Sequence, residues 1–195
     1  MNYDPEIHHR RSIRLPGYDY SQAGAYFVTI VAQGRVALFV KVVDGEMRLN
    51  RYGEIVQAAW LDLPRHYGHV ELGAFVVMPN HVHGIIILNE TSRGGSVLDE
   101  SVEPVETAAS KAPLLGATKT RPYGKRHGLL EIVRAFKAFS ARRINLLRSG
   151  EGTPVWQRNY YEHIIRNQQD LELTWLYIES NPAQWNTDNE NPAKR

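Results

Sequence analysis

Residues 78–87 read MPNHVHGIII. Pro79-Asn80 breaks the chain, and an apolar run follows, entered through two histidines placed around one valine. On a β-strand alternate side chains share a face, so His81 and His83 would lie side by side while Val82 turns the other way into packing. Two adjacent imidazoles are either a grip for a metal ion or an accident of sequence, and the rest of the chain has to decide. Sheet-forming residues also lead into the break, in VELGAFVV, so this region reads as two strand-like stretches with the histidines between them.

A length of 195 residues suits one domain with a sizeable core. With 43% hydrophobic and 23% charged residues, the composition is that of a soluble globular protein. There is no cysteine, which excludes disulfides and thiolate metal sites. Any metal must therefore be held by nitrogen and oxygen. No apolar run approaches the ~20 residues of a membrane span. The N-terminal MNYDPEIHHRRSIRLPG carries charges and a proline where a signal peptide needs an apolar stretch, and a cytoplasmic location with no membrane partner is the expectation. Net charge is only +2, but basic residues gather in HHRRSIR, TKTRPYGKR and RAFKAFSARR, and acidic ones in LDESVEPVE. Such separation suits a basic face for a polyanion and equally an ordinary solvated surface.

Working outward from the histidines, GAYFVTIVAQG has the β-branched and aromatic content of a strand. ALFVKVVDGEMRLNRYG reads as two strands around an Asp44-Gly45 turn. EIVQAAWLDLPRHY carries Ile55, Ala58, Ala59 and Leu63 at helical spacing, with Pro64 ending or bending the helix. Residues 90 to about 126 are rich in Gly, Ser, Thr, Pro and charge without a period, and read as a flexible insertion in one domain spanning 1–195. HGLLEIVRAFKAFSARRINLLRSG is the clearest helix, with Leu129, Ile132, Val133, Phe136, Phe139 and Ile144 near one face and Ser149-Gly150 as the stop. PVWQRNYYEHIIRN is aromatic and partly extended, and QQDLELTWLYIES forms a last helix that stops at Asn181-Pro182. This order describes an α+β sandwich, an antiparallel sheet with helices mainly on one face.

Two histidines are too few ligands, so a third group should lie elsewhere. On the last helix, Leu171, Trp175 and Ile178 fall within about 60° of one another and make a buried stripe. Tyr177 lies roughly 100° off that stripe, and Asn181 projects four residues later from nearly the same face. Asp170 and Thr174 share this polar side. A tyrosine one turn from an amide is placed to face a polar cleft.

HVH, between a Pro-Asn turn and a GIIIL run, resembles the metal-binding motif of the HUH single-strand nucleases, in which U is a bulky apolar residue. The ordered set RRSIRLPGYDYSQAGAYFVTI, VVMPNHVHGIIIL, RAFKAFSARRIN, VWQRNYYEHIIRN and YIESNPAQW resembles more narrowly the REP-associated tyrosine transposases, single-tyrosine relatives of the transposases of the smallest bacterial insertion sequences. These segments cover most of the chain outside the insertion. The resemblance implies a ferredoxin-like sandwich. It places the nucleophile on Tyr177 in YIESNP, and the metal ligands on His81, His83 and Asn181. Tyr160 and Tyr161 fall in a different motif and read as packing or DNA-stacking residues, with Trp156 a further stacking candidate; His163 reads as structural.

The implied activity is cutting and rejoining of single-stranded, hairpin-forming DNA through a 5′-phosphotyrosine link. A divalent ion, Mg²⁺ or Mn²⁺, would neutralise the scissile phosphate, with two imidazoles and an amide adding no charge of their own. No nucleotide cofactor is expected, because the ester retains the energy of the broken bond and no Walker-type loop is present. Arg10, Arg11, Arg14, Arg134, Lys137, Arg142 and Arg143 are the candidate phosphate contacts. Homodimer and monomer both stay open. The rival readings are a replication or mobilisation nickase, a cleavage-inactive DNA-binding regulator of the same fold, and a metal hydrolase using activated water.

Overall fold

The structure, a computed structural model, describes residues 14–43, 46–90, 127–150, 152–187 and 191. Arg10, Arg11, the Asp44-Gly45 turn and the 91–126 part of the expected insertion lie outside the described residues. Strand β1 (Gly24–Val31) is followed by a short hairpin, β2 (Val40–Val43) and β3 (Glu46–Leu49), and then by α1 (Arg51–Leu61) and the four-residue α2 (Leu63–His66). β4 (Val70–Val77), β5 (His81–Leu88), α3 (Leu129–Leu147), β6 (Tyr161–Ile165) and α4 (Gln168–Ser180) complete the order, with a 3₁₀ helix over Asn181–Thr187.

The main sheet has the order β4-β5-β1-β6, with every pairing antiparallel. Leaving out the hairpin, the units β1-α1-β4 and β5-α3-β6 interlock as a split βαβ pair, the ferredoxin-like arrangement expected. Helices α1 and α3 cover one face. There Tyr26, Val28, Ile30, Val82 and Ile86 pack with Val56, Trp60, Ile132 and Phe136 in the larger core. Helix α4 lies on the opposite face over a smaller cluster of Phe27, Ala74, Ile85 and Ile178. Val82 is fully buried under the first face, so the alternation read from HVH holds and both histidines point to the α4 side.

Asn50 starts α1 by accepting the N–H groups of Tyr52 and Gly53, and Pro64 at the start of α2 separates the two helices. The buried face of α1 is Gly53, Val56, Ala59 and Trp60, not the Ile55/Ala58 side. EIVQAAW offers apolar residues on two neighbouring faces, and Trp60, the largest, claims the core by stacking on Phe75 at 4.5 Å. In α3 the expected Phe139 gives way to Ser140, whose hydroxyl donates to the Phe136 carbonyl and accepts the Trp156 indole N–H at 2.9 Å. Phe139 instead meets the His66 ring, with centroids 5.4 Å apart. The expected stripe on α4 also narrows. Ile178 is buried and Leu171 half-buried, but Trp175 is 39% exposed, because the small cluster beneath α4 has room for only part of that helix face. The α-helix does stop where expected, with Asn181 as its C-cap, and the chain continues from there as the 3₁₀ turn.

Candidate active site

Strand register builds the site. Val76 pairs with His83, His83 with Thr29, and Thr29 with Tyr161, so these four side chains form one row across the α4 face. The next row on that face holds Ile85, Phe27 and His163. The Phe27 ring stacks against His83 with centroids 5.4 Å apart. Gly84 follows His83 because its own face is closed: a Cβ there would run into the Trp60 ring.

The two imidazoles meet through Nε2 atoms 2.9 Å apart. Each is held from behind. Asn80 donates its amide N–H to the Arg35 carbonyl, which turns its oxygen toward His81 Nδ1 at 2.8 Å. His81 Nδ1 therefore carries the proton, and Nε2 presents a lone pair. His83 Nδ1 lies 2.8 Å from the Thr29 hydroxyl. Burial, helped by the nearby Arg35 guanidinium, pushes His81 down to about 3, so the ring is neutral at physiological pH.

Tyr177 reaches this pair from α4. Its hydroxyl lies 3.4 Å from His83 Nε2, and its ring sits edge-on to those of His83 and Phe27 at 5.2 and 5.9 Å. Trp185, on the 3₁₀ turn, places its ring 6.0 Å from His81. Asn181 lies between these two contacts along the chain. It is only 3% exposed, and its Oδ1 has no hydrogen-bond partner among the described residues. Leaving such an oxygen bare costs about 1–3 kcal/mol, so it is available to accept from or coordinate a further group.

The donor set fits a divalent ion. At metal–ligand distances of about 2.0–2.1 Å, adjacent ligands of an octahedral ion stand about 3.0 Å apart. The histidine nitrogens, at 2.9 Å, already match that separation. Among the described residues no three His, Cys, Asp or Glu side chains come together, so a third protein donor to such an ion would have to be of another kind, such as the Asn181 amide.

The expected basic contacts are less convergent. Arg134, Arg142 and Arg143 are exposed on α3, across the sheet from Tyr177, and Arg143 lies 3.7 Å from Asp62. Lys137 donates to the Gln157, Arg158 and Asn159 carbonyls at 2.9, 3.3 and 2.9 Å, which commits its ammonium to the fold. Arg14 pairs with Glu162 at 3.6 Å and overlies Tyr160. Trp156 is buried between Phe39 and Phe136 and is closed to base stacking, and Tyr160 is buried as well; of the aromatic candidates Tyr161 alone is open. Sequence reasoning missed Thr29, Asn80, Phe27, Arg35 and Trp185. Asn80 adjoins His81 and could have been noticed there; the others come into range only through register or turns.

No family model matches the chain. It is 38% identical over 186 residues to an uncharacterized protein of Haemophilus influenzae, covering 95% of both chains. A second protein of that organism, described as "Putative REP-associated tyrosine transposase", is 26% identical over 165 residues, which is 85% of this chain and 73% of that one. Among solved structures, a REP-associated tyrosine transposase bound to a REP hairpin matches with a TM-score of 0.52 at 19% identity, over 88% of this chain and 73% of that one. The α+β fold is thus one found in tyrosine transposases. The chain is similar in sequence to a "Putative REP-associated tyrosine transposase" and in fold to a solved one.

Proposed function

We propose that this protein cuts and rejoins single-stranded DNA at hairpin-forming repeats, with Tyr177 as the nucleophile. One observation carries the reading: the Tyr177 hydroxyl stands 3.4 Å from a histidine nitrogen that itself faces a second histidine nitrogen at 2.9 Å. The hairpin bound by the related transposase supports the choice of substrate.

His81, His83 and Asn181 would hold a Mg²⁺ or Mn²⁺ ion, which when bound supplies Lewis-acid neutralisation of the scissile phosphate. The Asn80 amide keeps the His81 lone pair turned inward, and Phe27 backs the His83 ring. Tyr177 forms its Oη–phosphorus bond as the bond from phosphorus to the DNA 3′-oxygen breaks. The phenolic proton passes to water, which reaches the ring because it is 45% exposed. The departing 3′-oxygen takes up a proton to become a hydroxyl. A 3′-hydroxyl attacking the phosphotyrosine reverses these steps and reseals a strand.

The test is a denaturing gel of protein incubated with hairpin oligonucleotides bearing single-stranded flanks. A covalent adduct is expected in Mg²⁺ or Mn²⁺, lost in EDTA and lost in Tyr177→Phe. An adduct that persists in Tyr177→Phe would move the nucleophile elsewhere. Cleavage that proceeds without any adduct would favour hydrolysis by activated water.

A further inference from the structure

Beside Tyr177, between β6 and α4, lies an open pocket of about 280 Å³ lined by Phe27, Tyr161, His163, Leu173, Thr174 and Tyr177. We propose that it receives one unstacked nucleobase of the strand being cut, adjacent to the scissile phosphate. This rests on the strand-transfer reading above and names the part of the substrate that the protein reads at that site.

Register explains why the pocket exists. His163 pairs with Phe27, so Phe27 floors the pocket while Tyr161, one row on along the same face, stands beside it. The Phe27 and Tyr161 rings meet edge-on at 6.4 Å, and Tyr161 is 55% exposed, with a ring face open to a partner. Leu173 and Thr174 close the side from α4. The remaining wall is Tyr177, the residue whose hydroxyl reaches His83. An occupant therefore lies next to the atom that must meet phosphorus.

The lining selects a base over other parts of the DNA. Drug-sized ligands need about 300–1,000 Å³, so this space suits a smaller planar group. No Lys or Arg lines it, and the Asp170 carboxylate stands directly behind His163, at 2.9 and 3.0 Å from Nε2. The aromatic and apolar lining favours a base face over a phosphate. Base faces stack on aromatic rings irrespective of sequence. Two polar groups can read the base edge: His163 Nδ1, its other nitrogen being fixed by Asp170, and the Thr174 hydroxyl. Neither has a hydrogen-bond partner among the described residues. His163 is then an oriented recognition group as well as a structural one.

The test uses the full chain and fluorescein-labelled hairpin oligonucleotides with single-stranded flanks, plus a series in which each flanking nucleotide in turn is abasic. Binding is read by anisotropy in EDTA, so that no cleavage is required. One abasic position should weaken wild-type binding on the order of tenfold, and Tyr161→Ala should weaken intact DNA by a similar factor. Combining the two should be no worse than either alone. Tyr161→Phe, which keeps the ring, should restore binding, and Thr174→Val should change the preference among the four bases at that position alone. Losses that multiply, or a series in which no abasic position matters, would overturn the pocket. Adduct formation is scored separately in Mn²⁺. Adducts without coupling sink the pocket alone, and coupling without adducts sinks strand transfer alone.

Discussion

The hydroxyl of Thr29, 2.8 Å from His83 Nδ1, can donate or accept there, so His83 can carry its proton on either ring nitrogen. With the proton on Nε2 the ring bonds to His81; with it on Nδ1, both Nε2 lone pairs face one point and need a cation between them. The same side chains thus support an ion-free and an ion-bound arrangement without moving the strands. Glu162 shows the opposite situation on the other face. It is buried, with Arg14 3.6 Å away and the Tyr20 hydroxyl beside it. Burial raises its pKa, and Arg14 and the Tyr20 hydroxyl offset this only in part. Between the ordinary carboxylate value and the raised one, the folded state binds more protons than the unfolded state, so stability falls as pH rises through that window. Glu162→Gln should accordingly raise the melting temperature at pH 7, and the difference should shrink toward zero below about pH 4.5, where the unfolded carboxyl is protonated too. A variant that melts lower than wild type at pH 7 would show that the Arg14 pairing outweighs burial.

Helix α4 carries Tyr177 on a small apolar cluster, and its seat depends on Gly73. A Cβ at that position would stand 2.9 Å from Ile85 Cβ and 3.3 Å from Cζ3 of Trp175, so β4 or α4 must shift to admit it. The helix is the weaker partner, since Ile178 is its one fully buried residue. Gly73→Ala should therefore move Tyr177 away from His83 more than it unfolds the protein. The expected result is adduct formation slowed by about 10²-fold, since misplacement of about 1 Å has effects of that size. The melting temperature, measured in EDTA, should change little. Equal loss of activity and of folded protein would instead make Gly73 a general packing position. Neighbouring β5 is anchored more heavily, by Val82 and Ile86 in the main core, so the imidazoles stay where α4 can find them.

At the scale of the molecule, the sheet separates two tasks. One face holds the large core with α1 and α3, and the other holds the histidines, the tyrosine and the pocket. No helix among the described residues is long and apolar enough to cross a membrane. An ion bridging β5 and the turn after α4 would tie two distant parts of the chain together, and it should stabilise the whole fold. Mn²⁺ at about a hundred times its dissociation constant contributes about 2.7 kcal/mol, or about 5–10 °C in melting temperature for a chain of this size. Asn181→Ala should shrink that rise while leaving the ion-free melting temperature nearly unchanged, because losing an unpartnered buried carbonyl offsets the lost packing. A wild-type melting curve indifferent to saturating Mn²⁺ and Mg²⁺ would remove the ion from the site.

Most elements were legible in the sequence because they follow from local rules. Alternation placed both imidazoles on one face, Pro64 marked the end of a helix by its own backbone chemistry, and the absence of cysteine left only nitrogen and oxygen donors. Choosing between neighbouring helix faces was harder: Val56 and Trp60 prevailed over Ile55 and Ala58, and Trp175 stayed half in solvent, because burial depends on what the facing element has room for. Only the tertiary structure decided that Thr29 and Phe27 stand beside His83, that Tyr177 arrives on the same side, and that the α3 arginines do not. Strand register and helix docking are settled by apolar burial summed over the whole core, and residues 54 or 94 positions apart, as Thr29 and Tyr177 are from His83, share no local rule that could bring them together.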